Sequence, residues 1–87
     1  MDAIVKLIGI CNAFKSGEYS VKEFQARIET VYLPDACKYT LEKEQHNASN
    51  LLEEIIYFYG DEAIRGAKVA DDLIYAALEE QKRLENV

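Results

Sequence analysis

Apolar residues recur along this chain with the spacing of amphipathic helices. Four segments, at about 2–16, 20–33, 40–59 and 61–86, repeat an apolar residue every three or four positions. None alternates polar and apolar residues at every second position, as a half-exposed strand does. The pattern therefore predicts an all-α protein. The arcs predicted to face its core include Tyr32 in the second segment, Leu51 and Phe58 in the third, and Ile64 and Leu78 in the fourth.

Residues that end and begin helices separate the four segments. Gly17 follows the first, Pro34 disfavours helical geometry in the residue before it, and Gly60 is placed to cap the third in a left-handed conformation. Thr40 and Asp61 are placed to cap the amino-terminal ends of the third and fourth. Because short links between amphipathic helices favour antiparallel neighbours, we expect an antiparallel up-and-down four-helix bundle. At 87 residues, it should be one helical domain spanning 1–87.

Two further positions bear on where the second helix starts and on whether the fourth is continuous. Ser20 followed by Glu23 forms a capping box, in which each side chain can bind the other residue's backbone amide. Gly66 lies inside the fourth segment at a cost of about 1 kcal/mol relative to alanine. Two interpretations of that segment therefore stay open, a continuous helix and a helix broken at Gly66.

The sequence indicates no membrane or export segment. No apolar run approaches the roughly 20 residues that a membrane-spanning helix needs. The amino-terminal residues lack the basic region, long apolar stretch and cleavage site of a secretory signal. We therefore expect a cytoplasmic location and no membrane partner.

Residues capable of catalysis or metal binding are few. Cys11 falls on the apolar stripe of the first segment and Cys37 has no activating neighbour, so both are expected to be reduced and structural. His46 lies one turn after Glu42, but a metal site needs further ligands and no second motif supplies them. No nucleophile or phosphate-binding motif is present. The sequence therefore predicts no enzymatic activity, no metal and no cofactor.

The negative charge of the chain is confined to one segment. Sixteen acids against ten bases give a net charge of −6. Residues 51–80 contain eight acids, as four adjacent pairs, and only Arg65 and Lys68 as bases, so 2 − 8 = −6 lies there and the rest is balanced. The four pairs are Glu53-Glu54, Asp61-Glu62, Asp71-Asp72 and Glu79-Glu80. Such a field repels nucleic acid and favours a basic protein surface as the partner.

The helical period divides these acids into two groups. Asp61, Asp72 and Glu79 fall within about 20° of one direction on the fourth helix, where Arg65 and Lys68 can offset them.

On the third helix, Tyr57 projects between Glu53 and Glu54, and Asp61 follows just past the turn. An exposed ring between carboxylates has the composition of a binding hot spot for a basic surface. Val69, on the predicted polar side of the fourth helix, is a second exposed apolar candidate.

One stretch resembles a known family. The sequence Phe14-Lys15-Ser16-Gly17-Glu18-Tyr19-Ser20, followed by Val21-Lys22-Glu23-Phe24, is similar to the opening hairpin of the bacterial self-protective colicin-like immunity proteins, the group that contains the colicin D immunity protein. The resemblance implies a four-helix antiparallel bundle that binds the toxin domain of a bacteriocin or a contact-dependent growth inhibitor. In the colicin D case it implies a toxin that cleaves transfer RNA and an inhibitor whose acids cover its basic active site.

Two functions remain open from the sequence. The first is an immunity protein that neutralises a cognate toxin domain, with a nuclease and in particular a tRNase as the expected toxin. The second is a non-catalytic regulatory or structural helical module, as a monomer or a homodimer, whose acidic face is merely solvated. The residues predicted to contact the toxin are Glu53, Glu54, Tyr57, Asp61, Asp72 and Glu79.

Overall fold

Four α-helices make up most of the chain. A computed structural model describes residues 2–58 and 60–86, and within these ranges it contains helices and turns but no strand. The helices are α1 (Asp2–Lys15), α2 (Val21–Ile28), α3 (Leu41–Phe58) and α4 (Glu62–Glu85), with a short 3₁₀ turn at Asp35–Cys37 between α2 and α3. The all-α class is confirmed. The predicted end of the third helix at Tyr59 lies outside the described residues.

Each helix packs antiparallel against the next, and α4 closes the ring against α1. The end of α1 lies beside the first half of α4, where Lys15 Nζ is 2.5 Å from Asp71 Oδ1. The result is the predicted four-helix bundle, 43 Å long and 23 by 19 Å across. Within the described residues, no helix combines the length and hydropathy required to cross a bilayer.

The turn between α1 and α2 is set by Gly17. Its φ of +88° is left-handed, a conformation that glycine adopts without steric cost. The Gly17 amide donates to Phe14 O at 3.0 Å and the Glu18 amide donates to Ala13 O at 3.0 Å, the pair of bonds that defines a Schellman motif. This turn brings the ring of Phe14 onto that of Phe24, with centroids 4.4 Å apart and planes within 7°.

Gly66 lets α4 approach these rings. A Cβ at this position would lie 2.7 Å from Phe14 Cζ, closer than a real contact allows. The helix runs unbroken through the glycine from Glu62 to Glu85, so of the two interpretations left open the continuous helix is the observed one. Close packing against Phe14, rather than a kink, accounts for a glycine inside α4.

The second helix is shorter than the predicted 20–33. It ends at Ile28, and the hydroxyl of Thr30 donates to Arg27 O at 2.7 Å in the turn that follows. The Gln45 amide of α3 donates to Ile28 O at 2.6 Å and to Val31 O at 2.8 Å, and so satisfies carbonyls that a longer helix would have paired internally. Consequently Tyr32, predicted to face the core, is 89 % exposed.

The capping box at the start of α2 is half formed. The Glu23 amide donates to Ser20 Oγ at 3.1 Å, as predicted. The Glu23 carboxylate, however, accepts from Arg27 Nε at 2.9 Å, one turn further along the helix. The Ser20 cap alone therefore fixes where α2 begins.

Candidate protein-binding surface

The predicted hot spot lies at one end of the bundle, where α3 gives way to α4. Glu53, Glu54 and Tyr57 are exposed on the last turns of α3, and Tyr57 is 73 % exposed. Asp61 stands on the turn that follows. We call this region the α3–α4 corner; it comprises Glu53, Glu54, Tyr57, Phe58, Asp61, Glu62 and Ile64.

Asp61 occupies the N-cap position of α4 but does not cap it with its side chain. Its carboxylate accepts from Arg65 Nε at 2.6 Å instead. This hydrogen bond, more than any other influence, lowers the pKa of Asp61 below its ordinary value. The prediction that the Asp61 side chain caps α4 is therefore wrong, although Asp61 does occupy the N-cap position. The charge of Asp61 is matched by Arg65, one turn along α4.

Asp72 and Glu79 lie further along α4, away from the corner. Asp72 Oδ2 is 3.4 Å from Lys68 Nζ, and Glu79 Oε2 is 4.0 Å from Lys82 Nζ. Both acids line a groove of about 710 Å³ between the start of α3 and the second half of α4. We call it the tyrosine groove, because the exposed Tyr39 and Tyr75 also line it.

The six predicted residues therefore do not form one site. Glu54 and Asp72 share a smaller groove of about 240 Å³ between α3 and α4, together with the bases Arg65 and Lys68. Tyr57, three residues after Glu54, projects about 60° from it around the helix. The structure thus places Asp72 across a groove from Glu54, whereas Glu79 lies further along α4 in the tyrosine groove.

Ion pairs divide the eight acids of residues 51–80. Five of them have a base within 4.0 Å: Asp61 with Arg65, Asp71 with Lys15, Asp72 with Lys68, Glu79 with Lys82, and Glu80 with Arg83. In the described part of the chain, Glu53, Glu54 and Glu62 have no such partner. All three belong to the α3–α4 corner, so the unmatched charge of this segment is concentrated there.

Two apolar residues of the corner were predicted to face the core and do not. Phe58 is 77 % exposed and Ile64 is 74 % exposed. Ile64 lies two residues, or about 200°, before Gly66, so fixing Gly66 against Phe14 turns Ile64 outward. Phe58 lies beyond Ile55, the last buried residue of α3.

Smaller errors of the same kind occur along α3 and α4. Leu51 and Leu78 are about half exposed instead of buried. Val69, predicted to be exposed, is buried beside Ala48 and Leu73 where α4 faces α3. Because α4 packs against both α1 and α3, its buried arc is wider than a single stripe.

Glu80, the last of the eight acids in residues 51–80, is buried. Its Oε2 accepts hydrogen bonds from the Thr40 hydroxyl and from the Leu41 amide, the latter at 3.3 Å, at the start of α3. Arg83 Nε donates to its Oε1 at 2.5 Å. These partners, Arg83 foremost, lower the pKa of Glu80 to about 2. Glu80 is therefore a structural residue that caps α3 from α4.

A sequence signal for Glu80 was available. Glu80 follows Ala77 by three residues and precedes Leu84 by four, the spacing of the buried stripe. Gln45 lies between Leu41 and Ala48 in the same way. A polar residue in register with a buried stripe indicates a buried hydrogen bond, and both residues bond to the end of a neighbouring helix.

The residues capable of chemistry are held apart. Cys11 and Cys37 are free thiols in the core, and burial first of all raises their pKa values to about 12 and about 11. A thiol with so high a pKa is a poor nucleophile at neutral pH. His46 Nε2 lies 3.8 Å from Glu42 Oε1 on the surface. Among the described residues, no three of His, Cys, Asp or Glu are grouped as metal ligands.

Within residues 51–80, the α3–α4 corner thus combines exposed apolar side chains with the three acids that have no ion-pair partner among the described residues. Comparison with protein-family models, with curated proteins and with solved structures finds no significant match to this chain.

Proposed function

We propose that this protein is a non-enzymatic immunity protein that binds a bacterial toxin domain in the cytoplasm and neutralises it by covering a basic active-site surface. The unmatched negative charge at the α3–α4 corner carries the proposal. Glu53, Glu54 and Glu62 have no ion-pair partner among the described residues. Glu53 and Glu54 lie one turn before the exposed ring of Tyr57 on α3, and Glu62 begins α4 after the turn. Carboxylates and an aromatic ring together suit a surface rich in Lys and Arg.

The proposed mechanism is occlusion. A nuclease presents Lys and Arg to the phosphates of its substrate. Carboxylates fixed on the last turns of a helix can take the place of those phosphates without being substrates. The expected toxin is therefore a nuclease. The most specific version of the proposal is that it is a tRNase of a bacteriocin or of a contact-dependent inhibition system. This chain itself makes no contact with nucleic acid in the proposal.

Charge sets the rate at which such a complex forms. A localised negative field accelerates encounter with a positive surface, and the acceleration falls as salt shortens the Debye length from about 10 Å at 0.1 M. Asp72 and Glu79, already paired with Lys68 and Lys82, contribute at the margin of the contact. The corner acids supply most of the steering.

One observation favours the second candidate, a regulatory or structural helical module. Three exposed acids on α4 and the one at its N-cap position each have a base of the same chain within 4.0 Å: Asp71, Asp72, Glu79 and Asp61. Such matched pairs are typical of a solvated face and add only about 0 to 1 kcal/mol each to stability. Under this candidate the corner acids have no partner to meet.

The proposal predicts that a toxin domain is encoded beside this gene, and the test is whether this chain neutralises that domain. Co-expression of the wild-type chain should restore growth to cells that express the toxin. Reversing charge in Glu53→Lys and Glu54→Lys should lower the association rate at least tenfold, mainly at low salt. Tyr57→Ala should weaken the equilibrium affinity by about 30-fold, as the loss of a hot-spot ring does.

Two matched controls lie away from the corner. Tyr32→Ala removes a ring that is even more exposed, and Glu85→Lys reverses a charge at the far end of α4. Neither should change association rate or affinity more than twofold. If wild-type protein neither binds nor neutralises the neighbouring toxin domain, the immunity function is wrong and the second candidate is preferred.

A further inference from the structure

Three large apolar side chains are exposed together at the α3–α4 corner. Phe58 and Ile64 are exposed to about the same extent as Tyr57, and the turn between α3 and α4 brings all three to the same end of the bundle. Tyr57 and Phe58 are the last two described residues of α3, and Ile64 lies in the first turn of α4. A single exposed apolar residue is ordinary, but three within eight positions are not.

The exposed area is large for so small a protein. With about three-quarters of each side chain in solvent, the three residues expose roughly 400 Å² of mainly apolar surface. A stable protein–protein contact covers about 800 Å² on each partner. The exposed area of the three side chains is therefore about half of what one partner contributes, which is enough for the centre of an interface. The acids around them would form part of its rim.

The surrounding charges decide which partner fits. Glu53, Glu54 and Glu62 have no base within 4.0 Å in the described part of the chain, and Asp61 is balanced by Arg65. A second copy of this chain docked corner to corner would bring the same unmatched acids face to face, which like-charge repulsion opposes. A partner with Lys and Arg around an apolar pocket meets both features at once.

We propose that the α3–α4 corner is an anchor site for a protein surface that presents an apolar pocket with a Lys- and Arg-rich rim. Phe58 and Ile64 fill the pocket, and Glu53, Glu54 and Glu62 face the rim. The inference rests on the proposed function, because it names the surface of the toxin that is covered. Affinity then depends on the apolar contact, whereas the acids set the rate of association.

The tyrosine groove is a weaker candidate for the same role. Of its four acids, Asp72 and Glu79 are already paired with lysines and Glu80 is committed to the start of α3. The fourth, Glu44, shares the groove with the bases Lys43 and Arg83. A basic partner would have to replace these internal pairs. At the corner, no ion pair of Glu53, Glu54 or Glu62 with another described residue has to be broken.

The experiment titrates the nitrogen-15-labelled chain with two synthetic peptides of equal charge and follows backbone amides by NMR. The peptides are Lys-Lys-Leu-Phe-Leu-Lys-Lys and Lys-Lys-Ser-Ser-Ser-Lys-Lys. The apolar peptide should bind at least about tenfold more tightly and shift the amides of Tyr57, Phe58 and Ile64. Raising the salt to about 0.5 M should weaken both peptides but preserve their ratio, because salt screens charge and not apolar contact.

Two variants check that the preference comes from the anchor. Phe58→Ser combined with Ile64→Ser should remove the tenfold preference, whereas Tyr32→Ser should retain it. Both should keep the helical circular dichroism spectrum of the wild-type protein, since the three side chains are exposed.

Equal binding of the two peptides would overturn the anchor site. Amide shifts confined to the tyrosine groove would also overturn it. So would shifts at Phe58 and Ile64 that change with protein concentration in the absence of peptide, because they would identify a second copy of this chain as the occupant. Failure to neutralise the toxin, with the peptide preference intact, would refute only the proposed function. Full neutralisation by the Phe58→Ser and Ile64→Ser double variant would refute only the anchor.

Discussion

Replacing Glu80 by glutamine should destabilise the bundle strongly, although the change removes one charge and almost no volume. Glu80 is 5 % exposed and accepts hydrogen bonds from Thr40, Leu41 and Arg83. Glutamine can still accept from the first two, but its amide nitrogen would face the Arg83 donor. The junction between α4 and the start of α3 would then lose a buried carboxylate, the one acid that is buried among the described residues.

The magnitude follows from the lowered pKa. A carboxyl whose pKa falls from 4.5 to about 2 on folding stabilises the folded state by about 3 kcal/mol when ionised. Because Arg83 is about half exposed, solvent screening reduces this to about 2 kcal/mol. For a chain of this length, 2 kcal/mol corresponds to a fall in Tm of roughly 8 to 16 °C.

The pH dependence has a definite sign. Since the pKa of Glu80 is lower in the folded state, its contribution is complete above about pH 5 and is lost as pH falls toward 2. Urea unfolding followed by circular dichroism should show the full difference between wild type and Glu80→Gln at pH 6, and less than half of it at pH 3.

The neighbouring Glu79→Gln is the matched control. Its carboxylate is exposed and only 4.0 Å from Lys82, so the expected change in unfolding free energy is within about 0.5 kcal/mol. The reasoning is refuted if the two variants lose the same stability at pH 6, or if the Glu80→Gln difference is the same at pH 6 and pH 3.

Two further predictions concern the core. Gly66→Ala should lower stability by about 1 to 3 kcal/mol because its Cβ would lie 2.7 Å from Phe14 Cζ, whereas Gly9→Ala, where a Cβ meets nothing within 4 Å, should raise it by roughly 0.5 to 1 kcal/mol. Thermal unfolding measures both, and shifts of the same sign would contradict the packing argument. Cys11 and Cys37, with pKa values raised to about 12 and about 11, should resist iodoacetamide at neutral pH in the folded protein and react in urea. Modification of either thiol at the same rate with and without urea, read by mass spectrometry, would show that burial does not protect it.

The helical class and the bundle were predictable because each helix carries its own periodic signal. The end of α1 is an example that needs only neighbouring residues. Gly17 adopts a left-handed conformation, and two backbone hydrogen bonds within the same turn end the helix. The end of α2 was not predictable in this way. It depends on the Gln45 side chain, which comes from another helix and bonds to Ile28 O and Val31 O.

The candidate site was predictable only in part, for a similar reason. The position of Tyr57 between Glu53 and Glu54 follows from the period of α3 alone. The exposure of Ile64 depends on the rotation of α4, which Gly66 fixes through its contact with Phe14. A helical wheel has no information about such a contact, so it assigned Ile64 to the core.

The ion pairs change the significance of the acidic segment. An acid that already has a base of its own chain must break that pair, or share it, to meet a partner, and the exchange yields little free energy. Glu53, Glu54 and Glu62 have no ion pair to break within residues 2–58 and 60–86 when they approach a cation. Glu54 also lies one turn before Phe58 on α3. This matters because excluding water around an apolar contact strengthens each nearby charge interaction. The capacity of this protein to bind a basic surface therefore depends on three acids and their apolar neighbours, and not on the total charge.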